Sequence, residues 1–247
     1  MRPLALLSLL ALLSACDKAT TPSPSAAGEP GTAATDLELE VAEAGEDATV
    51  VRTPFADARL FLEFNSTDND LGLQLFLDAG GWKRVRVLDP RRNDVLLVAA
   101  AGRLARLGIT ELRFESEEPE PAEVLALFPP GEYRFRGWTV EGAALGSNVQ
   151  LSHDLPPAPT FTPSGGEVVD RNDLVVEWNA PGAEQVEVII ESDAVDDVLD
   201  VTLSGSQRRL RIPPQFLTPG VEYKLEILSI AESGNRTLAE GTFRVRE

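Results

Sequence analysis

Between residues 37 and 155, apolar and polar positions alternate in short runs separated by turn chemistry, the period-two signature of strands with one buried face. The runs are Ala58 to Phe64, Leu71 to Leu77, Trp82 to Leu88, Asp94 to Ala100, Ile109 to Ser116, Tyr133 to Val140 and Ser147 to Ser152. Seven strands in about 100 residues predict a β-sandwich. Arg103 to Leu107 and Ala122 to Phe128 have helical character, the second opened by Pro121 at a position that a first helical turn tolerates. Both are too short to form a helical layer, so an α/β enzyme core is not expected. Gly80-Gly81 and Gly165-Gly166 are placed in hairpin or strand-joining turns and not in phosphate-cradling loops.

The pattern changes at three places. Leu4 to Leu13 is an apolar stretch behind Arg2, too short for the roughly 20 residues that span a bilayer. Asp17 to Asp36 is Ala, Thr, Ser, Pro and Gly with almost no large apolar residue, a composition that cannot offset its ordering entropy and predicts a flexible tether. Pro156-Pro157-Ala158-Pro159 prevents both helix continuation and central-strand pairing, which predicts a stiff, extended joint. The expected plan is an export signal at 1–15, a tether at 16–36, a β-sandwich at 37–155, the joint at 156–159 and a second β-sandwich at 160–247. The fold class is all-β, with two sandwiches in tandem.

The apolar leader ends at Leu13-Ser14-Ala15-Cys16, which resembles the lipobox of bacterial lipoproteins. The resemblance implies that Cys16 carries a thioether-linked diacylglycerol and, after cleavage, an amide-linked acyl chain such as palmitate. Several acyl chains, at roughly 0.8 kcal/mol per buried methylene, anchor durably where one does not. Asp17 resembles the inner-membrane retention signal of enteric lipoproteins. Cys16 is the one cysteine in the sequence, so an intramolecular disulfide cannot hold the fold and each domain must stand on its core.

Residues 160–247 resemble a fibronectin type III domain. Leu174-Val175-Val176-Glu177-Trp178, followed by Asn179-Ala180-Pro181, is similar to that family's second strand, whose Trp fills the core. Gln185 to Glu191 matches the third strand and Thr237 to Val245 closes the sheet. Leu210 to Pro213 and Leu217-Thr218-Pro219-Gly220-Val221-Glu222-Tyr223 resemble the fifth strand running into a tyrosine corner. There a buried ring bonds its hydroxyl back to the backbone, with Leu217 beneath it. Leu127 to Tyr133 echoes the device in the first domain. This fold hosts many unrelated tasks, so the resemblance implies architecture and not activity.

The formal charge of −18 repels phosphate backbones, and no nucleic-acid partner is expected. Arg84, Arg86, Arg91, Arg92, Arg103 and Arg106 make the middle of the first domain locally basic, which could dock an acidic partner or the acidic second domain, though a solvated strand face is the commoner reading of such a run. Asn65-Ser66-Thr67-Asp68-Asn69-Asp70 gathers oxygen ligands of the kind Ca²⁺ takes, with Asn65, Asp68 and Asp70 as the candidate ligands. The same residues also suit a solvated turn. Asp193, Asp196, Asp197 and Asp200 could bind a cation, though protection of an edge strand is the commoner role of such a cluster. His153 stands alone without a nucleophile-elbow serine, so no catalytic residue is expected. Trp82 and Trp138 are expected in the core, the alternative being an exposed aromatic platform for sugar or peptide.

These features together point to a non-catalytic interaction or scaffold module. It would be lipid-anchored at Cys16 in the cell envelope, facing the periplasm or the exterior, and would meet a protein or glycan partner. No cofactor is expected beyond the Ca²⁺ candidate. The alternatives are a calcium-dependent adhesin or carbohydrate binder, and a carboxylate-based hydrolase needing a cleft between two acids of the first domain.

Overall fold

Strand β1 (Asp57–Asn65) turns at Ser66–Asn69 into β2 (Asp70–Leu88), and the two pair antiparallel from Asp57↔Asp78 to Asn65↔Asp70. The computed structural model describes residues 50–196 and 199–247. Cys16, the leader, the tether, residues 37–49 and Asp197 lie outside them. Among the described residues the protein is all-β, in sandwich-like sheets, and no helix is long and apolar enough to cross a membrane.

The expected Leu71–Leu77 and Trp82–Leu88 strands are one strand of 19 residues, and Gly80-Gly81 is not a hairpin turn. The glycines sit where β2 changes neighbours. Before them it lies between β1 and β4 (Ile109–Glu115); after them it lies between β3 (Asp94–Ala99) and β5 (Gly131–Thr139), with a register shift between Asp78 and Trp82. A Cβ on Gly81 would come within 3.1 Å of the Leu107 carbonyl oxygen, so the backbones pass closely there and a side chain would be crowded. β6 (Ala144–Leu151) pairs with β5. The helical pieces are single connections, α1 (Leu104–Leu107) and α2 (Pro121–Leu127). Leu60, Leu62, Leu75, Trp82, Val87 and Phe135 are among the buried side chains that fill this half.

The second half runs β7 (Thr160–Thr162), β8 (Gly165–Val169), β9 (Val175–Asn179), β10 (Gln185–Glu191), β11 (Leu199–Ser204), β12 (Arg209–Arg211), β13 (Glu222–Ile230) and β14 (Arg236–Val245). A three-stranded sheet, β12-β9-β7, faces the run β11-β10-β13-β14 across a core holding Val176, Trp178, Val188, Ile212, Leu217 and Phe243. Tyr223 forms the expected corner: its hydroxyl accepts from the Thr218 N–H at 2.8 Å and donates to the Phe216 carbonyl at 3.3 Å. The ring stacks on Phe243 with centroids 5.5 Å apart, and Leu217 is buried in the same core. In the first half, Tyr133 donates to the Pro129 carbonyl at 3.0 Å, but Leu127 is 63% exposed, because it closes the last turn of α2 and faces outward. Gly165-Gly166 opens β8 at a register shift against β14, where Gly166 takes a φ of +77° that favours glycine.

The two halves share more than the proline joint. β1 pairs parallel with β14 through Glu63↔Arg236, Phe64↔Thr237 and Asn65↔Leu238, so one path of strands, β11-β10-β13-β14-β1-β2-β5-β6, crosses both, and Val51–Glu247 form one unit. Asn235, 1% exposed, occupies the start of this seam. Its Oδ1 accepts from the Leu62 N–H at 2.9 Å, and its Nδ2 donates to the carbonyls of Ser152 and Asp154, both at 3.0 Å. Thr237 donates to the Pro156 carbonyl at 2.6 Å, and His153 Nε2 bonds the Phe128 carbonyl at 2.7 Å. The joint is thus pinned on both sides by groups that would otherwise be buried without partners.

Asn235→Ala removes the four bonds of this amide at once, including a weaker one to Ser152 Oγ at 3.3 Å, and strands the buried Leu62 N–H. It is expected to lower the unfolding free energy by about 2–4 kcal/mol, read from urea denaturation. A loss below about 0.5 kcal/mol would show that the seam does not depend on this amide.

Candidate functional site

The β1–β2 turn is held by its own polar groups. Asn65 Oδ1 accepts from the N–H groups of Thr67 at 2.9 Å and Asp68 at 3.3 Å, and Asn65 Nδ2 donates to Asp68 Oδ2 at 3.3 Å. Asn69 adopts the left-handed region at φ +61°, as a turn asparagine can, and donates to Glu120 at 3.1 Å. Ser66 donates to the Leu238 carbonyl at 2.7 Å, and Thr67 Oγ1 accepts from the Glu240 N–H at 3.0 Å, which fastens the loop to β14. Of the three candidate calcium ligands, Asn65 and Asp68 are engaged within the turn. Asp70 differs: its Oδ1 is buried with no hydrogen-bond partner. Burial, with Asp68 and Glu240 nearby, raises its pKa.

Next to this loop the register assembles carboxylates that sequence reasoning missed. Glu63 on β1, Glu115 on β4 and Glu118 after it bring ligand oxygens within 4.8 Å of one another. Gly72, opposite Glu63 on β2, makes room for them; a Cβ there would meet Glu118 Oε1 at 2.9 Å. Across the seam, Arg236 lies 3.8 Å from Glu63 and 2.9 Å from Glu187, and it stacks over Phe61 at 4.7 Å. Burial lifts Glu63 to about 7 against the opposing pull of Arg236, with Glu115, Glu118 and Glu187 adding to the rise. Burial and the charges of Asp70 and Glu115 likewise push Glu118 to about 7. Glu187, 4% exposed, is also raised by burial, which outweighs Arg236. Glu187 carried one legible signal: it is a charge inside the apolar run Val186-Glu187-Val188-Ile189-Ile190.

This arrangement can take up a proton near neutrality or hold a cation. Glu115 and Glu118 lie at the solvent-facing side of the group, Glu118 with its carboxyl end partly covered where it lies against Gly72. An open groove of roughly 340 Å³ lies in the other half, lined by Thr162, Glu167, Val169, Asp170, Asp173 and Val175.

The other sequence candidates fall apart in space or take structural roles. Asp200 lies on β11, the edge strand of the long sheet path, while Asp193 and Asp196 sit in the turn before it, a placement that suits edge protection. Asp197 lies outside the described residues, as does Cys16. Trp82 is fully buried, as expected, but Trp138 is not a core residue. It falls on the outer side of β5 because the inward positions of that strand are Tyr133, Phe135 and Gly137.

No family model and no curated protein matches the sequence. Solved structures to which the chain is similar include a two-domain fibronectin type III segment from chicken tenascin. It is 15% identical with a TM-score of 0.30, over 76% of this chain and 97% of that one. The FN1–FN3 domains of chicken CNTN1 are 13% identical with a TM-score of 0.32, over 79% of this chain and 68% of that one. A tetra-tandem repeat from the extending region of a large adhesion protein is 14% identical with a TM-score of 0.27, over 76% of this chain and 49% of that one. Likeness at this level carries no argument about what the chain binds.

A carboxyl group raised in the folded state binds its proton more tightly there than in the unfolded chain. The contribution of Glu63 and Glu118 to stability is therefore full below the ordinary glutamate range and is lost as pH rises from about 4.5 to about 7. The melting temperature is expected to drop across that window. Glu63→Gln should flatten the drop and raise stability at about pH 8, on the order of 1–3 kcal/mol. An unchanged pH profile in that variant would rule out the protonation of Glu63 as its cause.

Proposed function

We propose that the chain is a lipoprotein held to a bacterial membrane by acyl chains on Cys16, and that its β-domains act as a non-catalytic interaction or scaffold module in the cell envelope. The observation that carries the second part is how the interior is used. Both halves are filled by apolar side chains, so polar groups are presented on sheet faces, turns and strand edges, where a protein or glycan partner can meet them. The first part is supported by Leu13-Ser14-Ala15-Cys16 behind an apolar leader.

Crosslinking and pull-down from native membranes is the direct test. Intact mass spectrometry should find residues 1–15 removed and Cys16 acylated. Cys16→Ser should shift the protein to the soluble fraction and lose the crosslinked partner. A bare Cys16 thiol on the membrane-associated protein would refute the anchor, and absence of any crosslinked partner would refute the module.

A second reading places Ca²⁺ at the β1–β2 turn of a calcium-dependent adhesin. It is favoured by the buried, unpartnered Oδ1 of Asp70 and by the acidic neighbours that raise its pKa, both of which a cation would relieve. On this reading, millimolar Ca²⁺ raises the melting temperature of the wild type but not of Asp70→Ala or Asp68→Ala. No shift in excess Ca²⁺ ends it.

A further inference from the structure

The two most exposed large apolar side chains among the described residues, Val51 at 93% and Leu107 at 79%, lie at one end of the first half. Leu107 closes α1 and shares a side of that helical turn with Leu104, which is exposed as well. The exit of α1 is pressed onto β2 and the β5–β6 turn: a Cβ on Gly108 would meet Val140 Cγ2 at 2.7 Å and the Gly81 carbonyl carbon at 2.8 Å. Val140 opens that turn and donates its N–H to the Gly81 carbonyl at 3.0 Å. The chain enters the fold beside the same turn. Thr53 runs parallel to Leu145 at the start of β6, its N–H donating to the Ala144 carbonyl and its carbonyl accepting from the Gly146 N–H, both at 2.9 Å. Arg52 stands over the Trp138 ring at 5.7 Å, and Trp138 is opposite Ala144, so Val51 and Arg52 lie toward residues 140–143.

The charge of α1 sets it apart as much as its exposure does. No acidic residue falls between Asp94 and Glu111, in a chain of net charge −18. Arg103 and Arg106, three positions apart and both exposed, flank the leucines, and among the described residues neither guanidinium makes an ion pair or a hydrogen bond. Asp94 is taken by Arg86, and neither Glu111 on β4 nor Glu141 in the β5–β6 turn pairs with them. Apolar side chains scattered singly over a surface are ordinary. Leucines grouped with free guanidinium groups are what a bilayer interface accepts, the apolar side chains entering the acyl boundary while the arginines reach phosphate.

We infer that α1 rests on a lipid bilayer, with Leu104 and Leu107 in the boundary between headgroups and acyl chains and Arg103 and Arg106 on lipid phosphates. Two observations favour lipid over a protein partner. The first is connection: the chain enters the fold at this end, so residues 17–49 join Cys16 to the side of the first half that carries α1. The second is size. A stable protein interface covers about 800 Å² on each partner, which a four-residue helix with two leucines does not supply. The same helix is enough for the second, weaker contact that holds a tethered protein in one orientation on a membrane. The inference deepens the reading of a membrane-held module and rests on it, since it gives the folded part its own contact with the surface.

The test is fluorescence of the full chain carrying Cys16→Ser and one new thiol labelled with bimane, introduced by Leu107→Cys or by Leu127→Cys. Leu127 is the control, an exposed leucine that closes the other short helix, α2, at the opposite end of β5. Each labelled chain is titrated with vesicles of phosphatidylethanolamine and phosphatidylglycerol that contain a spin-labelled lipid. The label at position 107 should shift to the blue and be quenched, and the label at 127 should do neither. Adding Leu104→Ser and Arg103→Glu to the 107-labelled chain should raise the lipid needed for half-maximal quenching by roughly tenfold or more, the effect of withdrawing one leucine and one cation from the interface. Melting curves confirm that every variant is folded. Equal quenching at the two positions, or none at 107, overturns the inference. A shift at 107 that follows protein concentration without lipid assigns α1 to a second copy of the chain and overturns it too. The Cys16→Ser chain carries no acyl group, so quenching at 107 stands even where mass spectrometry finds the native Cys16 thiol bare, a result that removes the anchor alone.

Discussion

The parallel seam between β1 and β14 is the constraint on which the rest of the described molecule depends. β1 meets β14 there over three register positions, beside the stretch where β14 pairs with β8. Asn235 makes that meeting specific by supplying a buried acceptor to β1 and buried donors to the chain entering the proline joint. A slip of one residue would turn Glu63 and Arg236 to opposite faces, leave the amide without its partners and detach the β1–β2 turn from Leu238 and Glu240.

Two faces of opposite character follow from register. Along the seam, Glu63 and Glu187 flank Arg236 while Glu115 and Glu118 gather at Glu63, and burial raises the pKa of Glu63 and Glu187 against the pull of that arginine. On the outer side of the first half arginines gather instead, Arg86 directly opposite Arg136. In both places a glycine opposite a charged residue gives a long side chain room to lie flat: Gly72 beneath Glu118 and Gly146 beneath Arg52. These glycines serve their neighbours' placement more than their own backbone freedom.

What could be read from the sequence was local. Alternation found the strands of the first half. The spacing of Leu217 and Tyr223 found the corner, and Trp178 found the second core, because each is decided within a few residues. The merging of two expected strands into β2 was hidden, since a glycine pair reads the same in a hairpin as in a bulge where a strand changes neighbours. Strands β7 and β8 were missed because they are short or begin in glycine and so leave too few alternating positions to register, and β11 because Asp200 was read together with the acidic residues before it. The seam was illegible for a different reason. Leu62 and Asn235 are 173 residues apart, and no periodicity couples positions so distant. The carboxylate group and the arginine face shared that fate, because each is assembled from strands whose order no single segment encodes. Trp138 was misplaced because a tryptophan is usually buried, whereas its parity on β5 turns it outward.

The seam overlaps the end of β1 with the start of β14, and both strands point the same way, so it has the form of a lap joint. Tension drawn between the far ends of these two strands would load its hydrogen bonds together in shear. A sideways pull would part them one after another. The molecule is therefore mechanically anisotropic, much stiffer along the strands of the joint than across them, and the direction from which a force arrives decides whether the halves stay joined.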